Sequence, residues 1–171
     1  YSGYTELLIK KNGKLTKIFS EDEKDFGITE NQIPSDYQDV DKDGIIEFSI
    51  LYQDESFDQK SNNVNADIQK WYSWDGFRGL TPKVDIYFDS LNGFRFYIPR
   101  EWQNNYIMEV NESKDKKYMF IYQKENYPVE KIELARLMVI DDSYLDKFII
   151  NASEAGRKYL TIGGNNRKTF L

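Results

Sequence analysis

The stretch Asp39-Val40-Asp41-Lys42-Asp43-Gly44-Ile45-Ile46-Glu47 places four carboxylates at alternating positions around one glycine. Three aspartates at every second residue of a tight turn converge on one centre, and Gly44 supplies the positive φ that the reversal needs. The Ile45 carbonyl and the Glu47 carboxylate complete a shell made only of oxygen, the ligand type that calcium prefers. The residues therefore read as a calcium site formed by Asp39, Asp41, Asp43, Ile45 and Glu47. The same pattern also occurs as a solvated turn, in which the aspartates bond to their own backbone without an ion. Four carboxylates so close together raise one another's pKa unless a cation neutralises them, which favours the metal.

The elements around the loop decide what kind of turn it is. In an EF-hand the twelfth position is a bidentate Glu and a helix follows, whereas here the twelfth position is Ile50. Ile46, Phe48 and Ile50 alternate with Glu47 and Ser49, so a strand over Gly44 to Tyr52 is expected, apolar on both faces and inside a sheet. Upstream, Asn12-Gly13 marks a hairpin over Thr5 to Ile18. The acidic run Ser20 to Asp25 reads as a solvated connection, Pro34 marks the approach to the loop, and Asp54 to Asn65 reads as an exposed polar loop. Ile68 to Trp74 turns at Asp75-Gly76 and returns through Leu80 to Phe88, with Pro82 predicting an edge or a bulge.

This D-x-D-x-D-G-x-x-E turn feeding a strand resembles the calcium loops of FG-GAP repeats, the blades of integrin-type β-propellers. The resemblance implies the same five ligands and a blade-like region over residues 1–90. The hairpins at Asn12-Gly13 and Asp75-Gly76 flank the loop like an internal echo of a blade period. A closed propeller needs about four or more blades, more than this chain holds.

From Leu91 a second unit is expected, residues 91–171, a small α+β domain. Gly93-Phe94-Arg95-Phe96-Tyr97-Ile98-Pro99-Arg100-Glu101-Trp102 opens it as a strand, and a meander follows. Its further strands carry Tyr106, Met108 and Val110, then Tyr118, Phe120 and Tyr122, then Ile132 to Ile140. The G-F-x-F-x-I-P-x-x-W opening resembles small α+β domains of the PsbP or Mog1 kind and C-terminal segments of Gram-positive lipoproteins. Leu145, Phe148, Ile149 and Ala152 at i, i+3, i+4 and i+7 predict a short helix between Ser143 and Gly156, with Ser143 and Asp146 as a capping box. A last hairpin, Arg157 to Ile162 and Lys168 to Leu171, turns about Gly163 to Asn166. The fold class expected is α+β, mostly antiparallel β.

Composition narrows the chemistry. The 171 residues contain no Cys and no His, which excludes thiol nucleophiles, Ser-His-Asp triads and the usual zinc sites. A net charge of -6 with scattered basic residues argues against nucleic acid as a partner. Mean hydropathy is -0.71, and no apolar run approaches the ~18 residues that a membrane span needs. The first residue is Tyr1, so a processed or excised chain is expected, with any lipid anchor outside it.

The reading that follows is a non-catalytic, calcium-stabilised binding or interaction module of an exported bacterial protein, extracellular or at the cell surface, with an unknown protein or glycan partner. The alternative is a carbohydrate-active protein, lectin or glycosidase, stacking sugars on Trp71, Trp74, Trp102 and tyrosines. Asp85 with Asp89, and Asp141 with Asp142, are its candidate carboxylates.

Overall fold

The computed structural model describes residues 3–18, 29–31, 36–52, 64–65, 68–77, 79–113, 116–165 and 167–171. The acidic run Ser20 to Asp25, Pro34 and all of the Asp54 to Asn65 segment except its last two residues lie outside them. The fold is α+β and mostly antiparallel β, as the patterning predicts. The chain divides into two units, one of residues 1–53, 67–89 and 95–101, the other of 54–66, 90–94 and 102–171.

The first unit is built on the hairpin that Asp75 closes. Its carboxylate accepts from the Phe77 N–H at 2.7 Å and the Gly79 N–H at 3.1 Å, while Gly76 takes φ 83°. Such an acid-glycine pair is what a tight reversal requires. The hairpin joins β8 (Ile68–Trp74) to β9 (Leu80–Asp89), and they lie in a five-stranded sheet. Its other members are β5 (Tyr37–Gln38), β6 (Glu47–Tyr52) and β10 (Phe94–Tyr97), in the order β10-β9-β8-β6-β5. Phe48, Ile50, Ile68, Trp71, Ile86 and Ile98 form its buried core.

Two expectations are corrected here. The strand after the acidic loop begins at Glu47 rather than Gly44, because the loop carboxylates hold the N–H groups of Asp43, Gly44 and Ile45 in the turn. Ile45 and Ile46 are consequently exposed. The strand Phe94–Tyr97 does not open the second meander but pairs with β9. Small two-stranded sheets complete the unit: β1 (Gly3–Tyr4) with β4 (Glu30–Asn31), and β2 (Leu8–Lys11) with β3 (Lys14–Lys17). Asn12 and Gly13 both have positive φ, 52° and 78°, the turn that matches strand twist.

The second unit is a six-stranded antiparallel sheet. β11 (Tyr106–Glu112), β12 (Lys116–Gln123) and β13 (Glu133–Asp141) form the expected meander. β15 (Lys168–Phe170) adds to β13, β14 (Gly163–Gly164) adds to β15, and β7 (Val64–Asn65) lies along β11. That last pairing places the end of the segment read as a polar loop inside a sheet. Residues 157–162 form no strand, although the Ile162 N–H reaches the Phe170 carbonyl.

Val110, Met119, Ile121 and Val139 fill one face of this sheet, and Ile140 is buried on the other. Helix α1 (Asp142–Glu154) packs against β13 and β15, burying Ala152. Asp141, not Ser143, is its N-cap: the carboxylate accepts from the Ser143 N–H at 3.0 Å and from its hydroxyl at 2.5 Å. An acid at this place answers the unpaired N–H groups of the first turn. At the other end Gly156 takes φ 66°, with the Arg157 N–H bonded to the Ala152 carbonyl and the Gly156 N–H to that of Ser153. This double bond pattern is a Schellman stop.

Candidate metal site and binding groove

β5 and β6 bracket the acidic loop, and the start of β6 carries Glu47 into the protein. Asp39 caps the turn from within, its two oxygens accepting from the N–H groups of Asp43 and Gly44, both at 3.0 Å. Asp43 accepts from the Ile45 N–H at 2.8 Å. Lys42 at φ 63° and Gly44 at φ 87° turn the chain so that Asp39, Asp41 and Asp43 present oxygens within 4.8 Å of one another. The structure therefore brings together the three aspartates singled out by spacing.

Glu47 is fully buried. One oxygen accepts from the Val40 N–H at 2.9 Å, and the other has no hydrogen-bond donor among the described residues. A buried carboxylate oxygen without a donor carries a large desolvation cost. Its surroundings are the test of whether an ion suits the site. The donor set is oxygen throughout, the kind a hard divalent cation takes; the three aspartates converge, while Glu47 stands outside their 4.8 Å group.

A residue that sequence reasoning missed enters this space. Between β8 and β9 the register passes from Trp71 opposite Val84 to Tyr72 opposite Pro82, leaving Lys83 as the extra residue of a bulge. Its Nζ lies 2.5 Å from Asp43, 3.0 Å from Asp41 and 3.8 Å from the unsatisfied Glu47 oxygen. Hydrogen bonding to Asp43 and then to Asp41 holds the Lys83 ammonium well above the ordinary lysine range. Reciprocally, the bond from Lys83 and then the Ile45 N–H lower the Asp43 carboxyl. The only hint in the sequence is Pro82, which cannot donate to a ladder and favours a bulge.

A second buried carboxylate, also unforeseen, lies in the other unit. Glu109 on β11 accepts from the Tyr127 hydroxyl and pairs with Lys131 Nζ at 2.7 Å. The Lys131 ammonium also stands over the rings of Tyr122 and Tyr127, at 5.3 and 5.2 Å. Glu109 is flanked by Met108 and Val110, and a charge inside an apolar run was its only signal.

That unit also holds a groove of about 750 Å³ beside α1. Tyr118, Phe120, Phe148, Tyr159, Leu160 and Ile162 give it an apolar floor. Lys116 lies 5.2 Å over the Tyr118 ring, Arg136 lies 4.7 Å over the Phe120 ring, and Arg157 and Lys158 stand at the rim. Arg136 is paired with Glu133, whereas Lys116, Arg157 and Lys158 make no ion pair among the described residues.

The carboxylates proposed for sugar chemistry are engaged elsewhere. Asp85 is buried with Lys70 at 3.6 Å, Asp89 is buried, Asp141 caps α1, and Asp142 accepts from the Thr169 hydroxyl at 2.9 Å. Trp71 is 1% exposed and cannot offer a stacking face, while Trp74 and Trp102 are half-buried. No helix among the described residues is long and apolar enough to cross a membrane. Comparison of the chain with protein-family models, curated proteins and solved structures gives no match.

Proposed function

We propose that this chain is a non-catalytic, calcium-stabilised interaction module of an exported bacterial protein held at the cell surface. The observation that carries the calcium part is the buried Glu47 oxygen, which has no donor among the described residues and lies 3.8 Å from the ammonium that bonds Asp41 and Asp43. Asp39, Asp41, Asp43, the Ile45 carbonyl and Glu47 would hold the ion, whose role is to cancel their charge and fix the entry to β6. Loops of this type outside cells often bind at about 10⁻⁴ to 10⁻³ M, a range that suits a surface location. The groove beside α1 supports the interaction part: its apolar floor and basic rim suit an acidic protein or glycan.

Thermal unfolding with millimolar calcium tests the reading. At a free ion concentration a hundred times the dissociation constant the native state gains about 2.7 kcal/mol, so the melting temperature rises, and Asp41→Ala abolishes the rise. An unchanged melt in the parent chain would rule the calcium role out.

A further inference from the structure

The place of Lys83 has a consequence for how such a site works, and the inference drawn from it rests on the calcium reading. We infer that Lys83 is a tethered competitor of the metal ion: its ammonium stands among Asp41, Asp43 and Glu47 in the ion-free chain, and a divalent cation binds by pushing it out.

The placement is built into the sheet. A bulge adds one residue to one strand and re-aims its side chain, and the residue so re-aimed here is the lysine. The Lys83 side chain is only 19% exposed, and its Nζ is within hydrogen-bonding distance of two loop carboxylates from a strand some forty residues downstream. It leaves the third unsatisfied, at 3.8 Å from Glu47. A single positive charge thus meets three carboxylates, enough to hold the turn together and too little to neutralise it.

Two properties follow. The ion-free loop keeps its shape, because the ammonium bridges Asp41 and Asp43, so folding does not wait for calcium. The site also discriminates by charge. A monovalent ion that exchanges with the ammonium gains nothing electrostatically, whereas a dication adds a full charge and brings oxygens to about 2.3 to 2.6 Å, within reach of Glu47. Lys83 is therefore the residue that sets the affinity and the charge threshold of the site.

Calorimetric titration with calcium chloride and thermal melts, on the parent, Lys83→Met, Lys83→Arg and Asp41→Ala, decide the matter. Lys83→Met keeps the apolar stem and removes the charge. It is expected to bind calcium about tenfold or more tightly, the scale of effect of one unit charge at this range. Its ion-free melting temperature falls, and its rise on adding calcium exceeds the parent's. Lys83→Arg, which restores a cation, stays near the parent in affinity. If Lys83→Met folds only with calcium present, that too supports the competition. Equal or weaker calcium binding by Lys83→Met, with the parent still binding, overturns the inference and leaves the calcium site standing. Absence of calcium heat in both overturns the site itself, and with it this role for Lys83.

Discussion

Glu47 and Glu109 are both buried carboxylates on strands, each with a lysine close by, and they are neutralised to very different degrees. Glu109 has a phenol and an ammonium to itself, with Lys131 at 2.7 Å and the Tyr127 hydroxyl bonded to the same oxygen. Glu47 shares one ammonium with Asp41 and Asp43 and retains an oxygen without a donor among the described residues. The first arrangement is electrically complete and needs no further group. The second has an excess of negative charge aimed at one point, which is what separates a candidate ion site from a structural ion pair.

The sharpest way to break that contrast is to remove charge without shape. Glu47→Gln keeps an acceptor for the Val40 N–H and relieves the crowding. Calcium affinity measured by calorimetry should fall by roughly a hundredfold, as one charged ligand of the hard ion is lost. The ion-free melt should hold level or rise, since a buried charge without a donor is removed while the acceptor for the Val40 N–H is kept. Glu109→Gln should do the reverse. Lys131 loses its counter-charge, stability drops by about 1–3 kcal/mol in chemical denaturation, and calcium binding is untouched. Loss of the calcium-dependent rise in Glu109→Gln, or a large ion-free loss in Glu47→Gln, would erase the distinction between the two sites.

The pH dependence of the Glu109 cluster has a definite sign. Its hydrogen bond with Glu109 raises the Lys131 ammonium above the ordinary 10.5, and burial, then the bond to Glu109, raises the Tyr127 phenol above 10.0. Both groups bind protons more tightly when folded. Their contribution is complete below the unfolded values and is lost as pH rises through the higher folded ones. Melts taken from pH 9 upward should therefore show an alkaline loss that Tyr127→Phe reduces. A parallel slope in the variant would show that the cluster is not its origin. The smallest effect is expected at Asp141→Ala, where loss of the cap lowers the melting temperature slightly and equally with and without calcium.

Much of this arrangement is legible from local pattern. The alternation in Ile68–Trp74 and Tyr106–Ile140, the Asn12-Gly13 and Asp75-Gly76 turns, and the i, i+3, i+4 spacing in α1 are short-range signals, and the strands, turns and helix follow them. The aspartate cluster is legible for the same reason, since its convergence is a property of one turn. What local pattern could not reach is pairing over distance. Phe94–Tyr97 has the alternation of a strand, but nothing within it selects β9 as its neighbour. Tyr118 and Phe120 alternate just as Met119 and Ile121 do, yet Met119 and Ile121 are completely buried while the rings line a groove. Lys83 and Lys131 become partners of distant carboxylates only once the sheet registers are set.

The division of the chain has its own corollary. It passes from one unit to the other after residues 53, 66, 89, 94 and 101, so no single cut leaves both units whole. A fragment of residues 102–171 retains the meander and the helix but discards the short strand Val64–Asn65 from the flank of β11, and the 2.6 Å bond from Lys168 to Asn92. The bared main-chain groups of β11 would then be a template for a second fragment to add to the first. Deletion mapping across that boundary would register self-assembly where it set out to measure recognition.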